Sequence, residues 1–296
     1  MKYQFIAEYE HEHSVALMCK VLHASRSGYY VFQEGHVCPR EKANRILLEE
    51  IRAVYACSRE TYGSPRVFQD LRAQGIACGR HRVARLMAKA GIVARVSRRY
   101  RSTTRPRANA KYAPDRLQRS FQAEHPHQVW TSDITYIWTG EGWLYLAVVM
   151  DLYSRLIVGW ASAGRIDAAL VCSALRRALL RHKPNTGVIV HSDRGSQYTS
   201  EAVQLLLARN QPEPLLPSHG SSCYDNAVTE SFFHTLKTEY VHFEQYQTRE
   251  EGHRGLFDYI EVFYNRKRRH SSLGYHTPAE TEEQFNKTKK TLIHCP

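Results

Sequence analysis

Three acidic residues stand where an acid is costly unless it has a partner. Asp133 interrupts the apolar and β-branched run Trp130-Thr131-Ser132-Asp133-Ile134-Thr135-Tyr136-Ile137. Asp193 follows Val188-Ile189-Val190 through His191-Ser192, and Glu230 lies among Ala227, Val228, Phe232 and Phe233. A carboxylate in or beside an apolar sheet must be hydrogen-bonded, ion-paired or metal-bound, because its removal from water is otherwise unfavourable. Two such acids facing each other repel, and one is driven toward protonation unless a divalent cation keeps both ionised. Hard oxygen ligands without paired Cys or His favour Mg²⁺, or Mn²⁺ as a substitute, over zinc. Two such ions about 3.5–4 Å apart activate an attacking oxygen and stabilise a leaving oxygen in an in-line phosphoryl transfer. Taken singly, a strand-end Asp reads as a turn cap and a helical Glu as a surface residue. Together, Asp133, Asp193 and Glu230 are the candidate catalytic residues and metal ligands.

The elements that must position them follow from periodicity. Segments 130–138, 143–153 and 156–160 are strand-like and separated by hairpin-sized gaps. A helix is expected over 167–182, a short buried strand over 188–190 and a helix over 199–209. A further helix over 225–242 takes Asp225 or Asn226 as its cap, and a longer one covers 248–267. This order, β-β-β-α-β-α and then helices, is that of a ribonuclease H-like α/β fold, in which the first and fourth strands are neighbours and Asp133 and Asp193 face each other. Lys237 lies two helical turns past Glu230, which returns it to within about 20° of the same face. Asn226, one turn before Glu230, shares that face, and both are candidate DNA contacts. Pro212, Pro214 and Pro217 argue against a regular central strand over 210–217.

The first part of the chain has a different texture. Helices are expected over 14–22, 25–33 (Ser25 as N-cap) and 40–56. Tyr62-Gly63-Ser64-Pro65-Arg66 then supplies a turn, a Ser N-cap and a Pro at the first helical position. Gly79-Arg80 opens another helix, striped by Val83, Leu86 and Met87 and ended by Gly91. From Arg80 to Arg119 the only acid is Asp115, against a dense run of arginines and lysines that includes Arg82, Arg85, Arg98 and Arg99. Such a run fits a polyanion bound by counterion release, and a basic helix after a short turn is suited to a DNA groove. Residues 102–107, with Pro106 and no apolar period, read as a joint. The expected division is 1–93 as a helix-turn-helix-like DNA-binding region, 94–123 as a basic linker, 124–285 as the catalytic core and 286–296 as a C-terminal tail.

Bulk properties agree. The 296 residues carry a net charge of +12 with pI near 9.4, and 43% are hydrophobic, enough for real cores. The longest clean apolar run, 144–150, is far short of the about 20 residues a membrane helix needs. The N-terminus has no apolar signal-peptide core. The seven cysteines form no C-x-x-C pair, and the 16 histidines lack metal-site spacing, so most are expected at the surface or facing DNA. The expected location is the cytoplasm.

Asp133 in T-S-D-I-T-Y-I, Asp193 in H-S-D-R-G-S-Q-Y, Glu230 in C-Y-D-N-A-V-T-E-S-F-F and the tail Y-N-R-K-R-R-H-S-S-L-G-Y resemble the DDE transposases of bacterial insertion sequences. The resemblance is to the second-frame (OrfB) product of insertion-sequence family three and, more distantly, to the retroviral integrase core. T-Y-G-S-P-R (61–66) and R-V-A-R-L-M (82–87) extend it to that family's helical DNA-binding region. It implies Mg²⁺-dependent cleavage and strand transfer on double-stranded DNA, namely the element's terminal inverted repeats and a target. It also implies a homo-oligomer on DNA, a frameshift fusion with the first-frame product and association with the bacterial nucleoid. A basic residue at Lys237 fits the family pattern. Arg266, Arg268 and Arg269, at the end of the 248–267 helix, read as a clamp on the DNA strand, or as cations suited to a helix C-terminus. The interval from Asp193 to Glu230 is one residue longer than is usual in the family. With the altered 210–217 segment, this leaves a catalytically inactive DNA-binding relic or regulator as the rival, and an RNA-cleaving enzyme of the same fold as a third reading.

Overall fold

The computed structural model describes residues 1–34, 38–95, 123–184, 187–192, 195–209, 216–219 and 227–293. The first three helices, α1 (Lys2–Tyr9), α2 (Val15–Val21) and α3 (Arg26–Gln33), close on Ile6, Met18, Cys19 and Tyr29. Ser14 and Ser25 cap α2 and α3, accepting from the amides of Leu17 and Gly28. A second unit comprises α4 (Pro39–Cys57), α5 (Ser64–Ala73) and α6 (Arg80–Lys89), packed around Ile51, Val54, Val67, Leu71, Val83 and Met87. Gly63, not Ser64, is the N-cap of α5, so Ser64 and Pro65 both lie inside its first turn. Gly91 stops α6 with φ +67°, a left-handed conformation that glycine adopts without steric cost.

The remainder is built on a five-stranded sheet ordered β3-β2-β1-β4-β5. Strands β1 (Val129–Thr139), β2 (Gly142–Asp151) and β3 (Ile157–Ala163) form an antiparallel meander. Strand β4 (Ile189–Ser192) runs parallel to β1, and β5 (Leu216–His219) runs parallel to β4. Strand alternation sends Ala147 and Val149 to one face, under α7 (Ala168–His182), and Leu146, Val148 and Met150 to the other. That second face is covered by α9 (Ala227–Glu239) and α10 (Arg249–Phe257). Helix α8 (Glu201–Arg209) joins the α7 side.

Segment 216–219 forms β5 at the sheet edge, where a missing amide hydrogen is tolerated, in keeping with the expectation that its prolines exclude a regular central strand. One expectation is corrected. The single helix over 248–267 is instead α10, opened by a Thr248/Glu251 capping box, continued by a π-helical stretch, Asp258–Tyr264. The widened turn carries Tyr259, Ile260, Phe263 and Tyr264 into the core. It is followed by Asn265, whose side chain pairs both ways with the Ile157 backbone, at 2.9 and 3.1 Å. Helix α11 (Pro278–Ile293) follows and extends past position 285. Among the described residues no helix is long and apolar enough to cross a membrane.

Candidate active site

The site is assembled by a contact between two hydroxyls. Thr131 on β1 and Thr229 in the first turn of α9, both fully buried, share a 2.8 Å hydrogen bond. Asp133 lies two residues along β1 on the same face as Thr131, and Glu230 directly follows Thr229. The bond therefore brings the elements bearing both acids together. Asp133 is half-buried, and its Oδ1 accepts from the Ile134 amide at 2.7 Å. Glu230 is solvent-accessible, and partial desolvation raises its carboxyl above the ordinary carboxylate range. The pairing of β4 with β1 brings Ser192 beside Ser132, the neighbour of Asp133. Asp193, Asn226, Arg98 and Arg99 lie outside the described residues. Ser132 is fixed by donating to the Val148 carbonyl (2.8 Å) and by its contact with the Tyr198 hydroxyl (3.0 Å).

Lys237, near the end of α9, holds its ammonium 4.7 Å from the centre of the Tyr136 ring. Burial lowers its pKa, and the negative charge of Asp133 acts in the opposite direction. A lysine responding to Asp133 is thus on the side of the sheet edge where the acid stands, as helical spacing from Glu230 leads one to expect.

The other candidate cations divide. Arg85 is exposed on α6, whereas Arg82 is half-buried and donates to Asn44 of α4 at 2.8 Å. The DNA clamp expected of Arg268 and Arg269 is corrected. Arg268 is only 3% exposed and donates twice to Glu239, at 2.7 and 2.7 Å. Burial alone would lower its pKa, but the hydrogen bonds and charge of Glu239 outweigh that and raise it. Arg269 is paired with Asp70 of α5 and donates to the Tyr275 carbonyl at 2.9 Å. Neither guanidinium is offered to solvent, and only Arg266 and Lys267 of that run are exposed.

What these residues bind is the helical unit. The Tyr62 hydroxyl donates to the Lys267 carbonyl (3.1 Å) and accepts from the Arg269 amide (2.7 Å). Arg66 reaches Glu239 at 3.3 Å, and Arg59 pairs with Asp258 while lying over Phe263 and Tyr240. T-Y-G-S-P-R and Y-N-R-K-R-R are therefore two halves of one docking surface. Sequence reasoning missed Tyr62, Asp70 and Glu239 as partners, because Tyr62 and Lys267 are 205 positions apart and neither pattern carries a sign of the other.

Two further titratable clusters are structural. Asp151, fully buried at the end of β2, accepts from the Ser154 amide and hydroxyl and from the His127 amide, all within 2.8 Å. His127 and His182, expected at the surface or facing DNA, instead converge on Glu282 of α11, at 2.8 and 3.7 Å. Burial alone would raise the Glu282 carboxyl, but these histidines hold it down at about 2. The Trp130 indole donates to His127 Nδ1 at 3.3 Å, which leaves Nε2 to donate to Glu282.

With the geometry in place, comparison with known proteins is direct. Residues 123–222 and 230–285 match Integrase core domain families, and residues 41–100 match an HTH-like domain. The chain is 40% identical over 286 residues to "Transposase InsF for insertion sequence IS3A" of Escherichia coli (strain K12), covering 96% of this chain and 99% of that protein. It is 39% identical over 269 residues to the "Insertion element IS600 uncharacterized 31 kDa protein" of Shigella sonnei, covering 91% and 98%. Among solved structures, the catalytic core domain of BIV integrase is similar at 20% identity and TM-score 0.40, covering 55% of this chain and 99% of that one. Family, core and helical region agree, and the chain belongs to the IS3 family of insertion-sequence transposases, DNA polynucleotidyl transferases with an integrase-type catalytic core.

Proposed function

We propose that Asp133, Asp193 and Glu230 form one metal-holding carboxylate triad that cuts and joins DNA at the ends of an insertion sequence. The observation that carries this reading is the Thr131–Thr229 bond, which aligns the strand of Asp133 with the first turn of the helix of Glu230. The donor set fits the group: hard carboxylate oxygens suit Mg²⁺, with Mn²⁺ as a substitute. When bound, the ion supplies Lewis acidity to the attacking water or 3′-hydroxyl and to the leaving oxygen. The chain's own groups do the rest. Asp133 is held by the Ile134 amide, Glu230 is positioned by its neighbour Thr229, and Lys237 places a positive charge beside the phosphate of the strand being cut. Arg85 on α6 and Arg266 beyond α10 supply exposed charge for the DNA backbone, and Arg98, Arg99 and Asn226, which lie outside the described residues, are further DNA contacts in this reading.

The substrate is double-stranded DNA, the terminal inverted repeats and a target. The acting form is a homo-oligomer on DNA, made complete by fusion with the first-frame product and working at the nucleoid in the cytoplasm. The test is strand transfer on end-containing duplexes with Mg²⁺, comparing wild type with Asp133→Asn, Asp193→Asn and Glu230→Gln. Each should lose more than the about 10–100-fold typical of removing a residue behind a metal ligand, while end binding persists. Wild-type joining by any one of the three removes it from the triad.

A further inference from the structure

The β1–β2 hairpin carries three large aromatic rings that no core packing requires to be exposed. Tyr136, Trp138 and Trp143 are 46%, 62% and 43% exposed. Strand alternation puts Tyr136 and Trp138 on the face opposite Ile137, and the register sets Trp143 directly across from Trp138. The rings meet edge to face: Trp143 lies 5.0 Å from Tyr136 at 81° and 4.8 Å from Trp138 at 79°. Edge-on packing covers less ring area than face-to-face stacking would, and Trp138 is the most exposed of the three. These rings and Lys237 line one groove of about 460 Å³, within the usual range of about 300–1,000 Å³ for small-ligand sites. The groove has a fixed width. Gly140 at the hairpin tip donates to the Tyr246 carbonyl at 2.9 Å, and a Cβ there would stand 2.6 Å from the Gln247 carbonyl.

We propose that this groove is a stacking subsite for unpaired nucleotides of a DNA strand running past the active site, with the two tryptophans under the bases and Lys237, held over the Tyr136 ring, beside a phosphate. The inference rests on the DNA-joining reading above. Position selects this occupant first, since Lys237, two helical turns past Glu230 on α9, holds its ammonium 4.7 Å from the Tyr136 ring and so joins the groove to the helix of the active site. Chemistry selects it second, because aromatic faces beside an ammonium match a base joined to a phosphate, and each stacked base contributes about 1–3 kcal/mol whatever its identity. The same physics requires the DNA to be unpaired. Bases inside a duplex have both faces covered by their neighbours, so a ring platform takes them only where the helix ends or opens. A second copy of the chain would bury the rings but would gain nothing from Lys237.

The experiment compares full-length wild type and Trp138→Ala in metal-free buffer. The probes are a duplex with a short unpaired end carrying 2-aminopurine and the same duplex fully paired. Trp138 is mostly exposed, so its loss leaves the core intact. Affinity for the unpaired end should fall about 5- to 150-fold, with loss of 2-aminopurine quenching. Trp138→Phe should recover most of both, and binding of the paired duplex should not change. Equal affinity of wild type and Trp138→Ala for the unpaired end overturns the subsite. So does an equal loss on both duplexes, and so does loss of a dimer in sedimentation, which assigns the rings to a second copy. A wild type that binds neither duplex counts against the DNA-joining reading itself. A wild type that joins strands but binds independently of Trp138 counts against the subsite alone.

Discussion

Glu239 and Glu230 lie on the same helix and meet opposite treatment. Glu239 is 8% exposed and closed on both sides, by the double bond from Arg268 and by Arg66 of the helical unit. Glu230 is open to solvent and has its carboxyl raised by partial desolvation, and its position comes from its neighbour Thr229. One end of α9 is a docking joint whose charges satisfy each other. The other end is positioned by uncharged hydroxyls, and Glu230 there stays open to solvent. A charge held by the protein itself serves the fold, and a charge positioned through its neighbours is able to serve chemistry.

The largest expected effect tests that contrast. Glu239→Gln leaves the Arg268 guanidinium buried without a counter-charge, and breaking a buried pair in this way costs about 3–5 kcal/mol. Chemical denaturation should show that loss, whereas Glu230→Gln, at the exposed end of the same helix, should change stability by less than about 1 kcal/mol, as for surface substitutions generally. If the two variants lose stability equally, the division of α9 is wrong. Next comes Tyr62→Phe, which deprives the Lys267 carbonyl and the Arg269 amide of their partner. Each group left unpaired costs about 1–3 kcal/mol. A variant as stable as wild type would mean that docking rests on the ion pairs alone.

A smaller loss of stability with a larger loss of function is expected at the hydroxyl pair. Thr131→Val leaves one buried hydroxyl unpaired, at about 1–3 kcal/mol, while Thr131→Val combined with Thr229→Val removes both polar groups and should be nearly neutral. Strand joining should stay low in the double variant, because a misplacement of about 1 Å at a reacting group costs about a hundredfold. Joining restored along with stability would show that packing alone sets the alignment.

Much of this was readable from the residues in order. The strands of the meander, the Ser25 cap, the Gly79 opening and Gly91 ending of α6, and the acids interrupting apolar runs are local patterns, and local rules find them. What stayed hidden depends on partners far along the chain. Arg268 is an exposed helix-end cation by pattern, and only the return of α9 makes it a buried partner of Glu239, 29 positions away. The π-helical stretch has no periodicity of its own, since Asp258–Tyr264 reads as ordinary helix until Asn265 must meet Ile157. Helix α1 is eight residues long with only Ile6 buried, too short a stripe to stand out. Pro217 excluded a central strand, as found, but that segment 216–219 would form an edge strand is a property of the whole sheet and not of its residues.

The effect smallest at neutral pH separates the docking joint from the rest of the core. His270 Nε2 lies 3.1 Å from Arg268 Nη1, and a guanidinium only donates, so the imidazole accepts there and is neutral. Burial, and then the charges of Arg268, Arg66 and Arg155, push its pKa down to about 3 from an ordinary 6.5. A lowered folded-state pKa means that the unfolded chain takes up a proton as pH falls through 6.5, while the folded chain does not until about 3. Stability is therefore full above 6.5 and drains away through that window. Glu282, held at about 2 against an ordinary 4.5, adds its own loss only below 4.5. Between pH 6.5 and 5 the contribution of His270 stands apart from that of Glu282. His270→Gln, whose amide oxygen still accepts from Arg268, should match wild type at pH 7.5 and flatten the decline by up to one proton's worth, about 1.4 kcal/mol per pH unit. Parallel stability curves for the two proteins would show that the ring at 270 takes up its proton as easily folded as unfolded, and that the cations of the joint do not press on it.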